Sequence, residues 1–377
     1  MMRILFVHLN GCMSGAEQSL LLLVKHLSRV HDVVVACPDD GTLSDKLAHL
    51  SIPTVAISPL PKRRLRSPAT LVYGIKLAHR LYRLIRRVEP DLIHANSFYA
   101  ASIAVTAGAV RRKPVVVHAR DFVGFPLLSR VLGHLSKRIL AVSQAVKDDL
   151  VGQGVPPEKI EVVYNGVDVE ASWAGDTLPA ESGAEGGTTG KELVFANIGQ
   201  FVPWKNQKVF VEAAVNTSQH LAHARFLLVG DDLFGRDGVY REGLIELAAR
   251  ASLDCGTGIE LVGWQQDMRA VWNRIDCLVH TATREPFGRV LIEAMARGIP
   301  VIAFDACGPR EIITNGDTGI LAASGDVGQL VDAMIRVATD RPFAETIARN
   351  GYHSVSSRFS QRETARAVER VYREVLN

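Results

Sequence analysis

TATREPFGRVLIEAMARGIPVIAFDACGP, residues 281–309, reads as the end of a buried strand, a loop, a short helix, a second strand and a Gly-Pro turn. Two carboxylates, Glu285 and Glu293, bracket the passage from loop to helix at Phe287 and Gly288. Glycine lets the backbone approach a ligand closely, and a helix start offers unpaired N–H groups and the positive end of its dipole to a phosphate. A carboxylate repels phosphate, so each Glu suits sugar hydroxyls on either side of it. Hydroxyl, diphosphate, hydroxyl: the spacing describes a grip on a nucleotide sugar. The same letters also fit a solvated glutamate on an amphipathic helix after an ordinary turn, and alone they do not decide.

The rest of the chain narrows the choice. With 377 residues it has room for two domains. A hydrophobic fraction of 47% and a charged fraction of 22% describe a globular protein with a sizeable core. No apolar run reaches the length of a membrane span, and MMRILFVHLN (1–10) reads as a first buried strand and not as a signal peptide. Cys12, Cys37, Cys255, Cys277 and Cys307 are odd in number and never form a CxxC pair, which fits mostly buried free thiols in a reducing cytoplasm and argues against structural zinc. Charge is uneven: residues 1–170 hold 22 Lys and Arg against 14 Asp and Glu, the remainder 21 against 26. A basic first half and an acidic second half suggest different ligands for the two.

Short apolar, β-branched runs alternate with helical patterns. Strands are expected at 4–9, 31–38, 91–97, 114–121 and 138–144, and again at 192–200, 224–232, 259–264, 276–282 and 299–305. Continuous apolar strands alternating with helices imply parallel sheets covered on both faces. In such sheets ligands sit at the carboxyl ends of the strands, which selects Gly11, Ser14, Gly15, Glu17, Asn96, His118 and Arg120 in the first half. Between the two sets, residues 171–192 lose all apolar period and read as a linker or exposed loop. Two doubly wound domains facing a central cleft are the expected architecture. The final helix carries an apolar stripe of Val368, Val371, Tyr372 and Val375.

Four further stretches carry chemistry. In IGQFVPWKNQ (198–207), Lys205 stands just before a helix, where a cation is mildly disfavoured by the dipole and a phosphate would welcome it. LVGDD (228–232) and LVGWQQDM (261–268) end strands at Gly230 and Gly263, with Trp264 open to a nucleobase, core packing or simple exposure. GCMSGAEQ (11–18) is a glycine nest opening onto a helix, suited to an anion. KRRLRSPATLVYGIKLAHRLYRLIRRVEP (62–90) is an amphipathic helix from Leu71, apolar at Ile75, Ala78, Leu81, Ile85 and Val88. Its other face carries Lys76, Arg80, Arg83 and Arg87, with Lys62, Arg63, Arg64 and Arg66 upstream. The basic segment 62–87 suits an anionic membrane surface or simply a solvated face. Nucleic acid is disfavoured because no aromatic residues interleave with the cations.

Taken together, EPFGRVLIE (285–293), AMARGIPVIAFDACGPREII, NGVD (165–168), GQFVPWKNQ, FLLVGDD, LVGW and VVVHARD resemble, in order and spacing, the retaining glycosyltransferases of family 4, group 1, with the GT-B fold. The resemblance covers nearly the whole chain. It implies an α/β protein of two Rossmann-like domains: an acceptor-binding domain at 1–170, the loop at 171–192, a nucleotide-sugar domain at 193–355, and a C-terminal helix at 356–377 packing back on the first. It implies a sugar transferred from a UDP-sugar, or a GDP-sugar, to a hydroxyl of a glycan or lipid-linked acceptor. Glu293 would hold the ribose, Glu285 a sugar hydroxyl, the amides of Phe287 and Gly288 the phosphates or sugar, and Lys205 the diphosphate. His118 matches the histidine beside the donor sugar. Gly15, Gln200, Gly230, Trp264, Arg289 and Val290 complete the donor list; Gly11, Ser14, Glu17, Asn96 and Arg120 form the acceptor list. No cofactor or metal is expected, and a cytoplasmic site of action on the inner membrane face is.

One position departs from the family: Gln200 stands where an arginine is usual, with Arg120, Arg284 or Arg289 as substitutes. No carboxylate pair outside the grip suggests double displacement, so a same-face substitution is the expected mechanism. A nucleotide-sugar epimerase, a glycosyl phosphorylase and a non-catalytic sugar-nucleotide sensor are the rival readings.

Overall fold

The computed structural model describes residues 1–39, 41–58, 68–169, 192–256 and 258–377. The expected linker, apart from Glu192, and the cations at 62, 63, 64 and 66 lie outside the described residues. The chain forms two compact units, one of Met1–Gly166 with Gln361–Asn377, the other of Val167–Ser360.

The first unit is built on a parallel sheet of β1 (Arg3–Val7), β2 (Asp32–Cys37), β3 (Thr54–Ala56), β4 (Leu92–Ala95), β5 (Val115–Ala119), β6 (Arg138–Ala141) and β7 (Ile160–Val162). Their spatial order is β3-β2-β1-β4-β5-β6-β7, so the order reverses between β1 and β4. The strands LIHA and VVVHA are buried at every residue, as expected of strands covered on both faces. On one face, helix Phe98–Val110 packs against helices Pro68–Val88 and Pro126–Leu135. On the other, helices Gly15–Leu27 and Gln361–Leu376 pack together. There Leu20, Leu23, Val24, Val368, Val371 and Tyr372 join Phe6 and Val35 in one core.

The second unit repeats the plan with β8 (Leu193–Ile198), β9 (Ala224–Val229), β10 (Ile259–Gly263), β11 (Cys277–His280), β12 (Val301–Phe304) and β13 (Ile320–Ala322). Their order is β10-β9-β8-β11-β12-β13, reversing between β8 and β11. Phe195, Phe210, Phe226, Phe304 and Met334 anchor its core, with Phe195 and Phe226 stacked 5.9 Å apart. One glycine is obligatory. Gly230 follows β9 at φ +146°, and a Cβ there would sit 1.8 Å from the carbonyl oxygen of Gly199. The two strand-end loops therefore meet backbone to backbone, which only glycine permits.

The sequence reading missed β3, β7 and β13, each of three residues. β3, β7 and β13 lie at sheet edges, where pairing on one side leaves little apolar signal. In helix Pro68–Val88 the expected stripe holds at Leu81 and Ile85 but not at Ile75. Leu77, Leu81, Leu84 and Ile85 are buried, whereas Ile75 is 62% exposed. Of the described thiols, Cys37 and Cys277 are buried but Cys12 is exposed and Cys307 half-buried.

The terminal helix is tied down by a polar contact inside the apolar core. The hydroxyl of Tyr372 pairs with Nδ1 of His94 at 2.5 Å, both residues fully buried. Removing one partner of a buried pair leaves the other unsatisfied, at about 1–3 kcal/mol. Tyr372→Phe is expected to lower the stability of the first unit by that amount, read by urea unfolding. An unchanged midpoint would count against a role for this contact.

Candidate active site

The reversal of strand order between β8 and β11 places two chain ends side by side, the position at which open α/β sheets bind ligands. From β8 the chain runs through Gly199 and Gln200 to the tight turn Pro203–Lys205, then through Asn206, at φ +55°, into helix Gln207–Ser218. From β11 it runs through Thr281 and Thr283 to Glu285 and the seven-residue helix Arg289–Met295. The two segments are laced together. Thr281 Oγ1 donates to the carbonyl of Lys205 at 3.0 Å, and the amide of Thr283 donates to the carbonyl of Trp204 at 3.0 Å. Asn197 Nδ2 donates to Thr281 Oγ1 at 3.1 Å and to the carbonyl of Val279 at 2.8 Å.

This lacing fixes Lys205, whose ammonium forms an ion pair with Oε2 of Glu285. His280 Nε2 lies 3.1 Å from the same oxygen. Glu285 is buried, and burial by itself would push its pKa upward. The Lys205 charge and the His280 hydrogen bond overcome that, holding it at about 2 instead of the usual 4.5. His280 is held below its usual 6.5 by burial and by the Lys205 charge, against the pull of Glu285. It is therefore neutral near pH 7 and donates its Nε2 proton to the carboxylate. The Lys205 ammonium also lies 4.8 Å from the Trp204 ring centroid.

The second carboxylate holds a cation too. Glu293 Oε1 accepts from Arg289 Nη2 at 2.7 Å, one helical turn apart. Arg289, Val290 and Glu293 are half-buried on one side of their short helix, while Leu291, Ile292, Ala294 and Met295 face the core. Phe287 is buried against Phe359, ring centroids 5.8 Å apart, so its side chain is structural. Its backbone is crowded by Gly308, where a Cβ would lie 2.3 Å from the Phe287 carbonyl oxygen. Gly288 opens the helix at φ +101°. Gln200 is half-buried, with its carbonyl accepting from Gln207 Nε2 at 2.8 Å. Trp264 is 45% exposed just beyond β10, which rules out core packing and leaves the nucleobase and plain exposure.

The residues selected in the first unit divide. Gly11, Ser14 and Gly15 lie at or near the surface, at the start of helix Gly15–Leu27. Glu17, Asn96, His118 and Arg120 are buried and turned towards one another. Glu17 accepts from the amide and hydroxyl of Ser14, which completes the helix start, and lies 2.7 Å from His8 Nε2. His8 Nδ1 is 3.1 Å from Asn96 Nδ2. Asn96 Oδ1 accepts from Arg120 Nε at 2.8 Å, and Arg120 Nη1 reaches Ser19 and Asn165 at the same distance. Arg120 Nη2 is 3.3 Å from His118 Nδ1. Arginine only donates, so Nδ1 is the acceptor and the His118 proton is on Nε2. Burial, then the charge of Arg120, keep His118 neutral. Glu17, Asn96 and Arg120, expected as acceptor contacts, and His118, expected beside the donor sugar, thus form one internal polar network with His8.

His280, Asn197 and Thr281 were passed over in the sequence. The signal was available: each is a polar residue at or just beyond the carboxyl end of an apolar strand. Among the described residues no group of three or more His, Cys, Asp or Glu is placed to hold a metal ion, and no helix is long and apolar enough to cross a membrane.

Comparisons with known proteins agree with this geometry. Residues 13–171 match the model of Glycosyltransferase Family 4, and residues 181–354 that of Glycosyl transferases group 1. The chain belongs to this family; it is a glycosyltransferase of the GT-B fold. It is 28% identical to a GDP-mannose-dependent alpha-mannosyltransferase of Mycobacterium tuberculosis, over 87% of this chain and 85% of the relative. It is 23% identical to the UDP-Gal:alpha-D-GlcNAc-diphosphoundecaprenol alpha-1,3-galactosyltransferase of Escherichia coli, over 90% and 88%. The crystal structure of Anabaena HepE in complex with UDP and glucose superposes with a TM-score of 0.83 at 26% identity, covering 99% of both chains.

Two outcomes follow from the Lys205–Glu285 pair. A buried charge stripped of its partner costs about 3–5 kcal/mol. Lys205→Met should destabilise by that order, and adding Glu285→Gln should restore more than half of it, as read by denaturant unfolding. The pH dependence has a definite sign. A carboxylate held at about 2 contributes stability above its unfolded value of 4.5 and loses it as pH falls towards 2. His280, kept neutral, adds an earlier loss below pH 6.5. Glu285→Gln should flatten the lower limb of the stability–pH curve and leave the upper limb in place.

Proposed function

We propose that this glycosyltransferase moves a hexose-type sugar from a nucleotide diphosphate sugar, preferentially a UDP-sugar, to a hydroxyl of a lipid-linked or surface-glycan acceptor, with retention at the anomeric carbon. The second unit holds the donor and the first the acceptor. The observation that carries the reading is the pairing of both carboxylates of the 285–293 motif with cations, Lys205 on Glu285 and Arg289 on Glu293. Such a site is neutral without ligand and becomes complementary to a diphosphate flanked by hydroxyls once the cations change partners. UDP and glucose in Anabaena HepE, and the UDP-Gal and GDP-mannose of the named relatives, support a nucleotide-sugar donor. The diphosphoundecaprenol-linked acceptor named for the Escherichia coli relative supports a lipid-linked one.

The chemistry then runs as follows. The diphosphate draws Lys205 from Glu285 and Arg289 from Glu293. Glu285, still bonded to neutral His280, accepts from a hydroxyl of the donor sugar, and Glu293 from the ribose. As the anomeric C–O bond breaks, charge grows on the leaving diphosphate, and the Lys205 ammonium, already laced in place, stabilises it. The acceptor hydroxyl attacks from the same face and passes its proton to the departing phosphate oxygen. Arg289 supplies the second cation that Gln200 does not. No metal enters this scheme, and activity in excess chelator is expected to persist.

Lys205→Ala should lower kcat by about 100-fold or more, the scale of removing one preorganised donor. Glu212→Ala, on the exposed face of helix Gln207–Ser218, should leave it within about twofold. Lys205→Arg should recover part of the loss, and a melting curve for each variant separates folding from turnover. Equal effects at 205 and 212 would remove the diphosphate role. NMR of the product anomer tests retention, and trapping of a covalent glycosyl-enzyme would overturn the same-face route.

A further inference from the structure

Helix Pro126–Leu135 of the first unit is turned inside out. A helix at a protein surface ordinarily puts its apolar stripe inward. Here the buried positions are Ser129, Leu132 and Gly133. Leu127, Val131 and Leu135, at helical spacing i, i+4, i+8, face solvent at 77%, 45% and 61% exposure, with Leu128 beside them and Phe125 just before. A Cβ at Gly133 would meet the Val155 side chain at 2.6 Å, so the inner face is closely seated and the helix has no slack to turn its stripe inward.

The stripe runs into cations. Leu135 also lines a cavity of about 590 Å³ at the amino ends of β5 and β6. Its charged lining residues are Arg112, Lys113, Lys137 and Lys159, with His134 and no acidic side chain. Lys159 caps the helix by donating to the carbonyls of His134 and Ser136. Across residues 68–137 there are eleven Lys and Arg against three Asp and Glu. Helix Pro68–Val88, which shares helix Phe98–Val110 as neighbour, exposes Lys76, Arg80, Arg83 and Arg87.

We propose that this face is a docking surface for an anionic lipid bilayer, with the Phe125–Leu135 stripe inserted among the acyl chains and the Arg112–Lys113–Lys137 cavity on the phosphate headgroups. Apolar side chains flanked by cations are what an interfacial anchor requires, since insertion and electrostatic attraction add. A second copy of the chain fits poorly, because a symmetric contact through this face would bring the two basic surrounds together. The inference concerns the first unit alone and stands apart from the donor chemistry proposed above.

The test uses the full chain without nucleotide sugar, co-sedimented with phosphatidylcholine vesicles with and without phosphatidylglycerol. Binding to the phosphatidylglycerol vesicles should be at least about tenfold tighter and should weaken with salt. Leu127→Ser/Val131→Ser/Leu135→Ser, which leaves the buried positions untouched, should lose at least about tenfold. Arg112→Gln/Lys113→Gln/Lys137→Gln should lose the phosphatidylglycerol preference. Unchanged binding by the serine variant, or concentration-dependent dimerisation abolished by it, would overturn the proposal. So would an equal response to inorganic phosphate alone.

Discussion

A carboxylate and an ammonium held out of water at the same place constrain the second unit more than any other contact. Taking either charge out of water costs several kcal/mol, and only a partner in good geometry offsets it. Glu285 has two, Lys205 and His280. Lys205 can serve only because its turn is fastened to the end of β11 by the Thr281 and Thr283 hydrogen bonds. That turn in turn depends on the close approach of Gly230 to Gly199. The order of strands brings β8 beside β11, and the hydrogen bonds of Thr281 and Thr283 at their ends hold the turn that carries one half of the ion pair.

The first unit handles a buried charge by a different route. Arg120 is surrounded by the neutral oxygens of Asn96, Ser19 and Asn165. Its positive charge adds to burial in keeping His94 and His118 neutral. The consequence is a rigid plate under the β1–β4 reversal, with the glycine loop 11–15 as its outer edge. The same core face receives the terminal helix, whose Tyr372 reaches His94. Polar residues at the carboxyl ends of these strands are there to set the backbone and the tautomers of their neighbours. His118 Nε2 is buried and has no hydrogen-bond partner in this network.

How much of this could be read from the letters depends on what each letter reports. Continuous β-branched runs report burial on both faces, so β1, β4, β5, β11 and β12 were legible. Three-residue edge strands carry almost no such signal, and the helix at 68–88 kept its expected phase at Leu81 and Ile85 but not at Ile75, which is apolar yet exposed. The places of the candidate residues at strand ends and helix starts were legible along the chain. The direction in which a side chain points was not, since Glu17 follows one strand-end loop and Glu285 lies in another, and only the fold tells that one closes a helix start and the other holds a lysine. Pairing of Arg289 with Glu293 is the exception: an i, i+4 spacing announces itself.

The departure at Gln200 looks different once the cations are located. An arginine there would add a fixed positive charge at the end of β8, beside Lys205, with no third carboxylate nearby in the motif to balance it. The chain instead balances two cations against the two carboxylates of the 285–293 segment, and position 200 contributes its carbonyl to Gln207, whose own side chain is held by Tyr240. On the donor reading proposed above, the charge offered to a diphosphate would be held as ion pairs, and its release would depend on the ligand supplying hydroxyls to both glutamates at once. A bare diphosphate satisfies the cations but strands the carboxylates; a free sugar does the reverse. On that reading a molecule carrying both, in the order hydroxyl, diphosphate, hydroxyl, would re-partner all four charges at once, and the ion pairs themselves would be a source of selectivity.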